Sequence, residues 1–185
     1  GVFCHMNPEY TIAVAPAAKF FRKKIVSWYV HQSVTLRLRI LEKLANKILT
    51  TNRESFNLQS KKVQVVGHGI DTATFKPGTP ESNPQLSLLS IGRISPSKDI
   101  ESMIKAVDIL KDRGQLVTLK IIGGPGLPGQ QTYFDSLKKM IKAMNLEAQV
   151  EMTGAIAHQN IVPYLQSADI FVNLSKTGLD KAVLE

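Results

Sequence analysis

Two basic residues, Arg93 and Lys98, follow a segment with the composition of a buried strand. Residues 86–91 are largely aliphatic and end at Gly92, and apolar residues at helical spacing resume over residues 100–110. In an open α/β sheet, ligands bind at the carboxyl ends of strands, beside helix N-termini. Two cations there, next to a glycine that lets a ligand approach, suit a diphosphate. Arg93 and Lys98 could instead be ordinary solvated charges. However, cations at the start of a helix oppose its dipole unless an anion is bound, which favours a role in ligand binding.

The last residues of the chain supply a second candidate. Glu185 follows a predicted strand at residues 170–174, and its spacing from Gly178 suits a carboxylate that accepts hydrogen bonds from ribose hydroxyls. An ordinary surface glutamate explains the residue equally well. The residues alone therefore leave both interpretations open.

The elements around these residues alternate between strands and helices. Strands are predicted at residues 86–91, 117–122, 150–153 and 170–174, with helices at 100–113, 133–144 and 161–166. This alternation predicts βαβ units and a parallel sheet, hence an α/β fold. Before a loop at residues 78–84, strands are predicted at residues 24–30 and 47–51. The apolar positions between them, Leu36 to Ile48, predict one helix.

Basic residues are concentrated in the first third of the chain. Residues 1–66 contain 11 Lys and Arg against 3 Asp and Glu, whereas residues 67–185 contain 12 of each class, so the whole formal charge of +8 lies in the first part. This asymmetry indicates two units with different partners. An anionic membrane surface and nucleic acid are both candidates for the first unit.

Several other classes of protein are disfavoured. Residues 124–129 fit the pattern G-x-G-x-x-G, but Pro125 and Pro128 remove two backbone donors, and Thr132 is the expected N-cap of a helix that starts after the motif. The four histidines lack metal-ligand spacing, so no metal site is predicted. One cysteine excludes an internal disulfide, and no apolar run approaches the ~20 residues that span a bilayer.

The segments that carry these residues resemble the family-4-type retaining glycosyltransferases of the GT-B fold. That family's first signature is a glycine-arginine pair followed by lysine, which Gly92, Arg93 and Lys98 match. Its second is two glutamates separated by seven residues. Glu185 matches the later one, whereas Thr177 stands at the earlier position. Residues 65–71 (VVGHGID), with Phe75 and Pro77 after them, resemble the interdomain segment, in which His68 would be a hinge residue.

The resemblance implies a role for each matching position. Arg93 and Lys98 would hold the diphosphate and Glu185 the ribose, and these three are the expected catalytic residues. Thr177 stands where the family has a glutamate that contacts the donor sugar, so the resemblance does not imply which sugar is transferred. Further substrate contacts are expected from three kinds of group. One is a histidine at a strand end, which could instead be structural. The others are glycines that leave space for the nucleotide and backbone groups near the base, sugar and phosphate. These positions are His31, Gly92, Gly123, Gly124, Ile156, Gly178, Leu179 and Asp180.

The resemblance also implies the domain plan and the function. We expect two incomplete Rossmann-like domains, the end of an acceptor-side domain at residues 1–66 and most of a nucleotide-sugar-binding domain at residues 67–185. The expected activity is transfer of a sugar from a nucleotide-diphosphate sugar to a glycan, lipid-linked or other acceptor, with retention of configuration and without a cofactor. The sequence is interpreted as a fragment of a longer protein. The 185 residues alone are therefore expected to bind the donor weakly and to show no sugar transfer.

Two alternatives to an active transferase remain. One is a non-catalytic nucleotide-sugar-binding protein, which the presence of Thr177 would favour. The other is a basic nucleic-acid-binding module, although the first third lacks a recognisable reading motif and no nucleic acid partner is expected. For the transferase, we expect a cytoplasmic location with peripheral contact to an anionic inner membrane surface.

Overall fold

The computed structural model describes residues 1–79, 84–175 and 181–184, without the side chain of Lys181. The chain divides into two compact units, Gly1–Gly69 and Ile70–Glu185. The expected division lay at residues 66 and 67. The assignment of the units to acceptor-side and donor-binding domains remains a prediction.

The first unit is a four-stranded parallel sheet with order β1-β2-β3-β4. Its elements along the chain are β1 (Val2–His5), α1 (Pro8–Phe20), β2 (Ile25–Trp28), α2 (Leu36–Leu44), β3 (Lys47–Thr50) and β4 (Val63–Val65). The two helices connect consecutive parallel strands, as the predicted α/β class requires. The elements β1, α1 and β4 were not predicted from the sequence.

The core of the first unit lies between the sheet and its two helices. One cluster joins α2 to β3, and a smaller one joins α1 to β1 and β2; together they contain Tyr29, Leu38, Leu41, Ala45, Ile48 and Phe56, then Cys4, Ala15, Ala18 and Ile25. Between α1 and β2, the buried hydroxyls of Thr11 and Ser27 share a hydrogen bond of 2.7 Å. These contacts fix both helices on the sheet and so determine where their connecting loops lie.

The predicted helix over residues 36–48 is shorter than expected, and Ile48 lies in β3 instead. Ala45 takes an extended conformation (φ −70°, ψ 145°) that ends α2. The side-chain oxygen of Asn46 then accepts a hydrogen bond from the backbone N–H of Ile25 at 2.7 Å. Ile48 was assigned to the helix because it falls at helical spacing from the other apolar residues. A buried strand position also favours an apolar residue, so the pattern did not distinguish the two.

The second unit is also a four-stranded parallel sheet, with order β7-β6-β5-β8. Its elements are β5 (Leu86–Ile91), α3 (Ile100–Asp112), β6 (Val117–Ile122), α4 (Gln131–Ala143), β7 (Val150–Gly154), α5 (Val162–Ser167) and β8 (Ile170–Phe171). One core cluster of 13 buried residues packs α3 and α4 against the sheet. The bounds of β5 and β6 match the prediction.

Two predictions for the second unit were wrong in detail. Thr132 is not an N-cap, because α4 begins at Gln131 directly after a 3₁₀ turn over Pro128–Gln130. The last strand ends at Phe171 rather than at residue 174. It ends early because the Asn173 side chain accepts a hydrogen bond from the Ser175 N–H at 2.8 Å, which turns the chain away from the sheet.

Candidate functional site

The loops that follow β5 and β6 are each held by a backbone hydrogen bond to the end of the neighbouring strand, at the carboxyl edge of the second sheet. The Gly92 N–H donates to the Ile122 carbonyl at 2.9 Å, and the Gly123 N–H donates to the Gly154 carbonyl at 2.8 Å. This edge is where an open α/β sheet binds its ligands. The hydrogen bonds therefore hold a candidate ligand platform in a defined shape.

Gly123 allows two of these loops to approach each other. It has a φ of +152°, and a Cβ atom there would lie 1.8 Å from the Gly92 carbonyl oxygen. The expected role of Gly123 was to leave space for the nucleotide. In the structure, the Gly92 backbone already leaves no room for a side chain at this position. At Gly124 a Cβ would meet Ala155 at 3.7 Å, which is ordinary contact, so clearance for a ligand remains a prediction there.

Arg93 is exposed, and its aliphatic stem lies against the glycine-rich loop after β6. A Cβ on Gly126 would lie 2.7 Å from the Arg93 Cδ atom. The Gly126 N–H in turn donates to the Gln130 side-chain oxygen at 2.8 Å, which ties the loop to the turn before α4. The loop that resembled a dinucleotide fingerprint therefore lies directly against the side chain of an arginine from the neighbouring strand end.

Lys98 is half-buried and lies in a 3₁₀ turn, Pro96–Lys98, immediately before α3. Its backbone N–H donates to the Ser95 carbonyl at 3.0 Å. Asp99, which follows, takes a left-handed conformation (φ 51°, ψ 46°) and accepts a hydrogen bond from the Ser102 hydroxyl at 2.9 Å. The lysine is thus presented by a fixed turn at the helix start.

The structure brings the first signature together around one small crevice. Gly92, Arg93 and Lys98 all line it, and so does Asn173, which follows β8. Asn173 and Gly126 were not predicted as site residues from the sequence. For Asn173 the available signal was its place near the carboxyl end of the strand predicted at residues 170–174, which shares this edge. The crevice has a volume of about 10 Å³, so a polyanion would lie over its mouth, where two cations and an amide border a glycine turn.

Ile156 lies in the loop after β7, at the same carboxyl edge of the sheet, and is half-buried. A 3₁₀ turn over His158–Asn160 follows it, and the His158 ring lies 5.3 Å from that of Phe75. The position of Ile156 agrees with a backbone contact to a ligand at this edge. The contact itself remains a prediction.

His31 belongs to the first unit and is exposed just beyond β2. Its backbone N–H donates to the Ser55 carbonyl at 3.0 Å, and its Nδ1 atom accepts from the Ser33 N–H at 3.1 Å. A histidine that accepts at Nδ1 when neutral carries its proton on Nε2. His31 therefore closes a local turn with one ring nitrogen and leaves Nε2 as the group that could face a substrate.

Five of the predicted site residues lie outside the described residues: Thr177, Gly178, Leu179, Asp180 and Glu185. Within the described ranges, no group of three or more His, Cys, Asp or Glu side chains is arranged to hold a metal ion. A search of the same ranges for a helix long and apolar enough to cross a membrane also finds none.

Comparison with known proteins assigns the family. Residues 71–181 match the family described as Glycosyl transferases group 1. The chain is 30% identical over 122 residues to D-inositol 3-phosphate glycosyltransferase of Kineococcus radiotolerans, covering 59% of this chain and 28% of that protein. It is 32% identical over 122 residues to the amylovoran biosynthesis glycosyltransferase AmsK of Erwinia amylovora, covering 65% and 28%.

Solved structures agree on the fold. The crystal structure of Anabaena HepE in complex with UDP superposes with a TM-score of 0.78 at 16% identity, covering 99% of this chain and 56% of that chain. The crystal structure of TarM gives a TM-score of 0.70 at 14% identity, covering 99% and 38%. The expected α/β, GT-B-type fold is thereby confirmed. The chain spans about half of the HepE chain and under a third of the curated relatives. With more than half of its residues matched, it belongs to the glycosyl transferases group 1 family.

Proposed function

We propose that the second unit binds the donor of a retaining, family-4-type glycosyltransferase that uses a nucleotide-diphosphate sugar. The observation that carries the proposal is the crevice at the carboxyl edge of β5, which is lined by Gly92, Arg93 and Lys98. In this proposal the first unit belongs to the acceptor-side domain, and no cofactor is needed besides the donor substrate.

The two cations would act mainly on the leaving group. When the bond to the sugar breaks, negative charge develops on the nucleoside diphosphate, and fixed cations stabilise that charge without reorganising. The turn before α3 holds the Lys98 backbone, and the exposed Arg93 side chain has its aliphatic stem against the loop around Gly126. The departing phosphate would itself help to remove the acceptor proton, so the proposal does not require a separate general base.

The remaining roles are carried over from the family resemblance. Ile156 backbone atoms would meet the base, and the Glu185 carboxylate would accept the ribose hydroxyls. Backbone amides from Gly178 to Asp180 would face the sugar and phosphate. Because HepE was crystallised with UDP and with UDP-glucose, uridine diphosphate is the first ligand to test here.

The acceptor is proposed to be a glycan or a lipid-linked glycan. AmsK is named for amylovoran biosynthesis, and another relative is named alpha-monoglucosyldiacylglycerol synthase. A lipid-linked acceptor would require peripheral contact with a membrane, for which the basic first unit is the proposed surface.

The test is a titration of nucleoside diphosphates, and then of their sugars, into the full-length protein. A mass-based transfer assay would follow, and NMR of the product would give the anomeric configuration. Binding of one diphosphate followed by transfer with retention would support the proposal, whereas an inverted product would refute the retaining mechanism. The 185 residues alone are expected to be inactive, because transfer needs both substrates fixed in one geometry. Sugar transfer by these residues alone would contradict that expectation.

A non-catalytic nucleotide-sugar-binding protein is the second candidate, and Thr177 at a glutamate position favours it. Tight donor binding by the full-length protein without transfer to any acceptor would select it. Retention on heparin without binding to a nucleotide resin would instead favour the nucleic-acid-binding alternative.

A further inference from the structure

The topology of the first unit brings the starts of its four strands together at one edge of the sheet, the amino edge. The Val2 N–H donates to the Lys24 carbonyl at 2.8 Å, at the start of β2. At the start of β3, the Asn46 N–H donates to the Ile25 carbonyl at 2.9 Å. The Ile48 N–H donates to the Lys62 carbonyl at 2.9 Å, just before β4. Segments that are separate in sequence therefore form one continuous edge.

Most of the basic residues of the first unit lie at this edge. The last turn of α1 and the connection from α1 to β2 carry four exposed cations, which are Lys19, Arg22, Lys23 and Lys24. Three more exposed lysines lie beside the starts of β3 and β4, and these are Lys43, Lys47 and Lys61. The local charge is therefore far more concentrated than the sequence total indicates.

Acidic residues do little to balance this charge. The first unit contains three carboxylates, and Glu9 and Glu54 follow the carboxyl ends of β1 and β3, at the opposite edge. Glu42 lies near the amino edge, where its carboxylate accepts a hydrogen bond from the Ser60 hydroxyl at 2.7 Å. Lys62 is used structurally, since its ammonium donates to the Glu42 carbonyl at the end of α2 at 2.5 Å.

Two aromatic side chains stand among these cations. Phe20 is 81% exposed and Phe21 is 66% exposed, with ring centroids 5.1 Å apart and planes at 88°. Their backbone is ordered, because the Phe21 N–H donates to the Ala17 carbonyl at 3.0 Å and the Lys23 N–H to the Ala18 carbonyl at 2.7 Å. A fixed turn therefore holds an apolar pair in solvent, flanked by basic residues.

We propose that this amino edge docks on an anionic lipid bilayer, with Phe20 and Phe21 inserted at the interface and the surrounding cations facing lipid phosphates. The proposal deepens, and rests on, the peripheral membrane contact proposed above. Exposed aromatic residues combined with a basic surface are the composition of an interfacial anchor. A nucleic acid would meet the same charge, but proteins that bind single strands stack bases in a basic groove. Here the aromatic pair lies at the end of a helix.

The test compares the binding of the full-length protein to vesicles of phosphatidylcholine alone and with about 30% phosphatidylglycerol, a lipid that supplies the negative surface charge. One variant, Lys23→Gln with Lys24→Gln, lowers the charge of the edge. Another, Phe20→Ser with Phe21→Ser, removes the apolar pair. The matched control, Arg39→Gln with Arg53→Gln, loses the same charge from exposed residues at the starts of α2 and of the turn after β3, towards the opposite edge.

We expect binding to require phosphatidylglycerol and to weaken with salt. Each lost cation should lower the partition coefficient about five-fold, so the lysine pair should cost roughly 25-fold. The phenylalanine pair should weaken binding at all salt concentrations, and the control should change it less than two-fold. Equal loss in the control, equal binding to neutral vesicles, or preferential binding of a single-stranded oligonucleotide would overturn the proposal. Uridine diphosphate affinity, measured in parallel, should be the same in all variants, so that failure of the donor-site proposal is recognised separately.

Discussion

Gly126→Ala should weaken nucleoside-diphosphate binding without changing any residue that touches the ligand. The new Cβ would lie 2.7 Å from the Arg93 Cδ atom, whereas ordinary contact is 3.4–4 Å. The arginine side chain is flexible and exposed, so it moves aside and the fold is kept. Its guanidinium is then displaced from the crevice that it lines together with Lys98.

The magnitude of this effect follows from the hydrogen bonds of the displaced guanidinium. A charge-assisted hydrogen bond contributes about 1.5–3 kcal/mol. Displacement rather than removal should cost about half of that, roughly 1 kcal/mol, which corresponds to about a five-fold higher Kd. Stability without ligand should not fall, because Gly→Ala at a compatible position stabilises by about 0.4–1 kcal/mol through the unfolded state.

Calorimetric titration with uridine diphosphate, together with thermal melting, would measure both quantities. Gly129→Ala is the matched control, since it lies in the same loop and its Cβ would meet nothing within 4 Å. Equal affinities for the two variants would refute the inference that this loop positions Arg93 for the ligand.

Two further predictions concern stability. Gly123→Ala should destabilise the second unit by about 2–4 kcal/mol through overlap with the Gly92 carbonyl and an unfavourable φ, whereas Gly124→Ala should change stability by less than about 0.5 kcal/mol. In the first unit, a backbone hydrogen bond and the Arg37 side chain hold the pKa of the Glu9 carboxyl below its usual value of 4.5. The stability that the Glu9–Arg37 ion pair contributes should therefore be lost as the pH falls below 4.5.

Denaturant unfolding tests both predictions. Comparable midpoints for the two glycine variants would mean that the loops after β5 and β6 are not as close as the structure describes. For the ion pair, the difference between the wild type and Arg37→Gln should shrink as the solution is acidified or as salt is added, because both side chains are substantially exposed. A difference that does not change with pH would contradict the assignment.

The sequence predicted the second unit more completely than the first. The strands β5 and β6 each have four aliphatic residues among six, with the first and last positions apolar, so their ends were predicted correctly. In contrast, α1 has small apolar residues on most sides and buries Thr11, Ala15 and Ala18, so it lacks a clear amphipathic period. Pro16 within it further weakened the helical signal.

The candidate site could be predicted only where its residues are near each other in sequence. Gly92, Arg93 and Lys98 lie on one connection, and their spacing after a strand was sufficient. The support of Arg93 by Gly126 and the placement of Asn173 depend on which strands are neighbours. That order, β7-β6-β5-β8, is a property of the folded sheet and not of local spacing. The charge of the first third was visible in the sequence, but its concentration at one edge required the parallel topology.

The most direct test of the central claim is the affinity of uridine diphosphate for the full-length protein and for its Lys98→Ala variant. Lys142→Ala serves as the control, because it removes an exposed lysine from the last turn of α4, away from the crevice. The loss of one charge-assisted contact predicts a Kd raised about ten-fold or more for Lys98→Ala. Equal affinities for the two lysine variants would contradict the claim that the strand end at Gly92 binds a nucleoside diphosphate.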